Sequence, residues 1–560
     1  MCETAHLNFR PPVFSQIRAG TRVDRAACLL AKLPIVGLSF VIAACGGGGG
    51  SGSPPPPPPP PPLTLTLSST SGTLQFVEGG TGQLSFSGSV SGSGNRTIVP
   101  VVSIDQPAVL SMQGAIDTSV ANQYGIHLVT APGLVPGTYQ GQVTLKLCSD
   151  GSCSTVYANG QQSFAYTVTV TLSDWTTFQR NAAHTGFANA QLDPAHFTPI
   201  WTWTRPAGDP EPIGGINSVA TGGGKVFVTK DIYFGEGALY ALNESDGTTS
   251  WTYALGQMAS EGPAAFDSGI VYIPSTDPSE RCVVWAVDAA TGTYQFKMPT
   301  GCQWSNFFAP TVFGGSILQT AQTGTVYSFS NVDGSQQWSA PGGAGDQATP
   351  AADTKYVYQY GWSASGPALN VIDRVTGAAV ASIVDPFTTA LSGYSMFSAP
   401  MLGSGADVIS FGDAGFSGRA ASSSEQYESR VLVNYDIVKN TWAWRSANAY
   451  LTHPAIANGV IYAARNAPAS LDAMSETDGQ ILWSWTPPAG SNSFHRNIVA
   501  ARNLVFVSTD TNVYAVDLNT HQSVWQYPQP GMLAISGNSI LYIVTGATLS
   551  DGHLVAIKLN

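Results

Sequence analysis

The chain has 560 residues, with 23 Lys or Arg against 35 Asp or Glu, a formal charge of −12. Charged residues are only 10 % of the total, against about 25 % in ordinary soluble domains. The acidic balance excludes general nucleic-acid binding, which needs clustered Lys and Arg to displace counterions; the 43 % hydrophobic content excludes wholesale disorder.

Leu33 to Ala44 is a mostly apolar stretch, preceded by Arg25 and Lys32 and followed by Cys45. A basic region, a short apolar core and a small-residue exit form a secretory signal, expected over residues 1–44. Ile42-Ala43-Ala44-Cys45 resembles the bacterial lipobox, in which the Cys thiol takes a diacylglycerol and becomes the mature N-terminus. The resemblance implies an envelope lipoprotein held in the membrane by its lipid anchor. Gly46 following the Cys favours the outer membrane, with the folded part facing the periplasm or the cell surface. Residues 45–62 then read as a tether, flexible through the glycines and stiff through Pro54 to Pro62. Nine prolines in polyproline II span about 28 Å.

Of seven cysteines, Cys2 and Cys28 leave with the signal and Cys45 carries the lipid. Four remain in an oxidising compartment, so two disulfides are expected, Cys148–Cys153 and Cys282–Cys302. The short Cys148–Cys153 spacing suits a bridged hairpin end. Zinc is the alternative for that pair, but no His or further Cys lies nearby in sequence.

Residues 63–172 carry short runs of period-two alternation between turn signals, such as Gln142-Val-Thr-Leu-Lys-Leu147. About seven strands in that length suit a β-sandwich. Pro136-Gly-Thr-Tyr-Gln-Gly-Gln-Val143 resembles a strand entry of bacterial immunoglobulin-like modules, which implies a spacer domain of that kind.

All 13 Trp lie at or after Trp175. A repeat explains the shift. Val284-Trp-Ala-Val-Asp-Ala-Ala-Thr-Gly292 recurs with variation at Leu239, Val326, Leu369, Leu432, Leu471 and Val513, and in truncated form at Leu554. The spacing is about 42 residues, with one insertion between Gly412 and Arg430. Each unit has a Pro-led strand, a second apolar strand, the repeated strand ending in a Gly turn, and a fourth strand with an aromatic such as Trp251 or Trp338. Four strands per unit make a propeller blade. The pattern resembles the pyrroloquinoline-quinone-like repeat family over residues 173–560, and Asp174 to Gly186 resembles that family's opening segment. The last copy lacks a fourth strand, which Pro199-Ile-Trp-Thr-Trp203 supplies. The expected fold is all-β: an immunoglobulin-like sandwich, then an eight-bladed propeller closed by N- and C-terminal strands.

Alternate loops share a face in such a ring. The long second-to-third and inter-blade loops carry Trp304, Phe307, Phe308, Trp362, Phe387, Tyr394, Phe397, Phe416, Tyr427 and Phe494. Aromatics among polar neighbours suit recognition of a protein or polysaccharide partner. The family resemblance also implies a second reading, a quinone- or metal-dependent oxidoreductase. Against it, no adjacent Cys pair and no residue-by-residue match to a calcium site occurs. His453, before Pro454, is placed to line the central channel, as a ligand or as a hydrogen-bonded structural residue. The leading expectation is a non-enzymatic binding scaffold with no cofactor. It resembles the propeller lipoproteins of the outer-membrane barrel-assembly machine, with a sandwich and a proline stalk added.

Overall fold

The computed structural model describes residues 61–206, 215–232, 234–279, 281–301, 309–321, 323–341, 349–387, 399–405, 407–412, 430–545 and 552–560, with only the backbone of Trp362. Among them the structure is almost wholly β, and no helix is long and apolar enough to cross a membrane.

Eight strands between Thr64 and Thr171 form two four-stranded sheets. In one, Thr64–Leu67 pairs with Gln83–Ser91, which pairs with Gln123–Thr130 and then Leu110–Met112. In the other, Ser71–Val77 pairs with Val156–Thr171, then Gly137–Cys148, then Val99–Ile104. The alternation read in the sequence is the burial pattern: Val143, Leu145 and Leu147 face one shared core with Phe86, Ile126 and Phe164. Tyr139 donates its hydroxyl to Val135 O at 2.7 Å, fixing the entry of its strand. The Cys148–Cys153 disulfide is present at that strand's far end.

Among the described residues beyond Asp174 there are eight sheets of four main strands, numbered here as blades 1 to 8. Blade 1 comprises Ala220–Gly222, Lys225–Thr229, Gly235–Asn243 and Thr249–Met258. Blade 8 takes Met532–Ile535, Ile540–Thr545 and His553–Lys558 from the C-terminus and Thr198–Thr204 from the start, pairing Trp203 with Leu554 and Trp201 with Ala556. The ring closes as expected. Trp201 Nε1 donates to Glu244 O of blade 1 at 2.9 Å, and Tyr542 of blade 8 donates to Glu244 Oε1 at 3.0 Å.

The repeated turn has a physical cause. Asp288 Oδ1 accepts from Thr291 N at 2.8 Å and Thr291 Oγ1 at 2.7 Å. These bonds hold its carboxyl below the usual range. Gly292 then takes φ +73°, and Trp251 of the preceding blade lies against it. The same contact joins Trp338 to Gly377 and Trp444 to Gly479. Blade 7 has His521 in the glycine's place, stacked on Trp483 at 4.5 Å. The repeat motif is therefore an inter-blade lock: an aromatic from one blade under the turn of the next.

Candidate functional site

The axis of the ring is filled by the segment from Asp174 to Ala188. It bonds to the inner part of every blade in turn. Asp174 Oδ1 accepts from Gly537 N of blade 8 at 3.3 Å. Trp175 O accepts from Thr221 N of blade 1 at 2.8 Å and Thr176 O from Phe266 N of blade 2 at 2.7 Å. Thr177 donates to Pro310 O at the entry of blade 3. Ala182, Ala183 and Thr185 carbonyls accept from Ala352 of blade 4, Leu402 of blade 5 and Ile456 of blade 6 at 2.8, 2.9 and 2.8 Å. Ala188 N donates to Ala500 O of blade 7 at 2.8 Å.

Three residues of this plug hold left-handed backbone without being glycine: Gln179 at φ +53°, Arg180 at +79° and His184 at +51°. Each such residue costs on the order of 1–3 kcal/mol and persists only where its surroundings fix it. They are fixed here. Gln179 donates to Pro454 O at 2.8 Å and accepts from Asn497 Nδ2 at 2.7 Å. Arg180 pairs with Glu78 of the sandwich and donates to Phe187 O and Ser173 Oγ. The opening segment of the propeller thus also joins it to the sandwich.

The two axial histidines are structural. His184 Nδ1 stands 2.7 Å from Phe178 O and its Nε2 3.0 Å from Pro350 O. His453 Nδ1 is 3.1 Å from Pro454 O and its Nε2 3.2 Å from Ala399 O. Phe178 packs against both rings. Burial lowers both pKa values, that of His453 to about 3. The rings are neutral at pH 7.

The plug meets the innermost strands beside their first turns, so it fills the channel toward the short-turn face. Of the aromatics expected on the long-loop face, Trp304, Phe307, Phe308, Tyr394, Phe397, Phe416 and Tyr427 lie outside the described residues, as does the side chain of Trp362. Phe387 is exposed. Phe494 corrects the expectation of a partner-binding ring. It begins an inner strand and is fully buried, 6.3 Å from the Trp485 ring and in one core with Tyr514. Arg430, closing the insertion, is buried with its guanidinium 4.0 Å from the Phe411 ring centre. Burial pushes its pKa down to about 9. Cys282 is disulfide-bonded; Cys302, its expected partner, lies outside the described residues, and so does Cys45.

A quinone with its metal would need a set of oxygen donors around a cavity on the axis. Among the described residues, the part of the axis beside the plug is packed with Phe178, Gln179, His184 and His453 and holds no such set. No three His, Cys, Asp or Glu among the described residues could share an ion.

Eight blades of one repeat, locked by aromatics and plugged by their own leader segment, define a β-propeller of pyrroloquinoline-quinone-like repeats. The chain belongs to the family described as outer membrane protein assembly factor BamB, whose model matches residues 191–303, 235–484 and 369–557. The match begins after the sandwich. Among solved structures, BamB from Moraxella catarrhalis is 13 % identical, covers 65 % of this chain and 99 % of its own, with a TM-score of 0.47. A europium-containing methanol dehydrogenase is 13 % identical, with 69 % and 98 % covered and a TM-score of 0.51. The quinohemoprotein alcohol dehydrogenase from Comamonas testosteroni is 13 % identical, with 69 % and 80 % covered and a TM-score of 0.48. At such identity the likeness is one of fold. No curated protein sequence matches the chain.

Proposed function

We propose that the chain is an envelope lipoprotein whose propeller is a non-enzymatic scaffold for a protein or polysaccharide partner. Membership of the assembly-factor family is the observation that carries this reading. In it, residues 1–44 are the signal, Cys45 takes the lipid, and residues 45–62 hold the folded part off the outer membrane. Residues 63–172 form an immunoglobulin-like spacer. Its strand order, with a tyrosine at the entry of one strand bonded back to the chain, favours that class. Residues 173–560 form the propeller, and its long-loop face, with the aromatics from Trp304 to Tyr427, takes the partner.

The test is crosslinking in the native cell, followed by replacement of residues 413–429 with a short Gly-Ser link and by Trp304→Ala and Phe416→Ala. Aromatic anchors commonly cost at least about 2 kcal/mol when truncated, so capture of the crosslinked partner should fall at least about thirtyfold. Unchanged capture in all three variants removes this face. Stoichiometric quinone with dehydrogenase turnover, measured after adding quinone and calcium, would replace the scaffold by an oxidoreductase.

A further inference from the structure

The sandwich carries a cleft of its own. In the sheet that pairs Gln83–Ser91 with Gln123–Thr130, the inward residues Phe86, Ile126 and Leu128 belong to the core. The outward positions beside them are small: Ser85 stands opposite His127, and Ser87 opposite Gly125. Ser68 lies alongside, its Oγ accepting from Ser87 N at 2.9 Å. The chain between Met112 and Gln123 is pinned against this hollow through Asp117, whose N–H donates to Gly125 O at 2.9 Å and whose carbonyl accepts from Gly125 N at 2.8 Å. A glycine inside a strand marks a close approach of another backbone, and here even a Cβ at Gly125 would stand 3.1 Å from Asp117 Cβ. The outcome is a cleft of about 350 Å³ that also takes in Ser119, Val120 and Gln123. Its size is at the small end of ligand clefts, which run from about 300 to 1,000 Å³.

The lining selects a class of ligand. Asp117 Oδ1 accepts from Ser119 N at 2.9 Å, and that bond is the main cause of a lowered carboxyl pKa. Asp117 is therefore an ionised acceptor at neutral pH. Among the described residues the hydroxyls of Ser85 and Ser87, the Gln123 amide and the His127 ring form no hydrogen bond, so they remain for a ligand. An anion would meet Asp117 with no Lys or Arg in the lining to answer it. A metal ion would find one carboxylate, and no three His, Cys, Asp or Glu among the described residues could share it. An apolar ligand would cover these polar groups without pairing them, which is costly. A neutral molecule with closely set hydroxyls fits: it donates to the carboxylate and exchanges hydrogen bonds with hydroxyl, amide and imidazole. Val120, exposed by 55 %, adds one apolar edge for the C–H groups of a ring.

We infer that the sandwich binds carbohydrate: this cleft takes one neutral sugar unit, free or within a glycan, with Asp117 accepting from its hydroxyls and Ser85, Ser87, Gln123 and His127 completing the set. The site is independent of the long-loop face of the propeller.

Saturation-transfer NMR on the full chain, held in a detergent without a sugar headgroup, tests this with a panel of neutral methyl glycosides and oligosaccharides. At least one glycoside should receive saturation. Asp117→Asn and His127→Ala, both at exposed positions, should each weaken the best ligand at least fivefold. Gln140→Ala, on the outer face of the other sheet, should leave binding unchanged, as should replacement of residues 413–429. Affinity that grows with the number of sugar units assigns the cleft to a glycan chain, and affinity that does not assigns it to a free sugar. No transfer to any glycoside, binding indifferent to both cleft variants, or displacement of the sugar by inorganic phosphate overturns the assignment.

Discussion

The indole of Trp251 packs against the bare backbone of Gly292 in the next blade: a Cβ at Gly292 would stand 2.6 Å from Trp251 Cδ2, and the indole Nε1 donates to Ala289 O at 3.1 Å. The glycine thus meets two demands at once, a left-handed φ and a ring against its α-carbon. Gly292→Ala should destabilise the propeller by roughly 2–5 kcal/mol, the sum of a left-handed penalty of about 1–2 and overpacking of about 1–3. Gly377→Ala should behave alike. Denaturant titration reads both, and a change under about 1 kcal/mol would count against the lock. At His521, His521→Gly should be tolerated better than His521→Val, because a β-branched residue suits φ +56° poorly.

The Glu78–Arg180 pair should control how firmly the sandwich seats on the plug. Removing one partner of a buried ion pair costs about 3–5 kcal/mol, so Arg180→Ala should lower stability by that order. Burial alone would raise the Glu78 carboxyl, but Arg180 and the Ser173 hydrogen bonds more than reverse this and leave it below 4.5. Its contribution is therefore present above about pH 4.5 and is lost as pH falls through the lowered value. Glu78→Gln should remove that acid dependence in thermal melts.

His453 has the same sign for a different reason. Burial holds its pKa near 3, below the ordinary 6.5, so the unfolded chain takes up a proton first as pH falls. Stability should decline from about pH 6.5 downward. His453→Gln, which keeps a donor for Ala399 O, should flatten that limb of the stability curve while costing something at pH 7. An unchanged slope would mean that the ring takes up its proton equally in the folded and unfolded chain.

Cys45→Ser should abolish incorporation of radiolabelled palmitate and release the protein from sedimented membranes. Full retention in the membrane pellet would refute the lipid anchor.

The Cys148–Cys153 bridge closes a loop of separation 5, worth about 2 kcal/mol in the loop-entropy model. Replacing both cysteines by Ala should lower the sandwich transition by that order and leave the propeller transition in place, as read by calorimetry.

The ring was legible because its strand-and-turn segment recurs with variation about every 42 residues, and Trp201 and Trp203 named their own blade by lacking a third strand nearby. The reason for each turn glycine was not legible, since its partner ring lies about 40 residues away in the preceding unit. The plug was visible as a segment but not as a plug. Most of its bonds run between backbone groups, which carry no residue signature. Phe494 misled because an aromatic at a loop edge looks alike whether it faces water or Trp485.

The plug also has a consequence for synthesis. Asp174 and the strand Thr198–Thr204 leave the ribosome early, yet their partners Gly537 and His553–Lys558 come more than 300 residues later. At about 5–20 residues per second, the leader waits roughly 20–70 s with its strained residues unsupported and its strand unpaired. No partial ring can complete it. The chain therefore registers the loss of its last few residues at its beginning, and a truncated product is left with an open edge and an unseated plug that proteases can recognise.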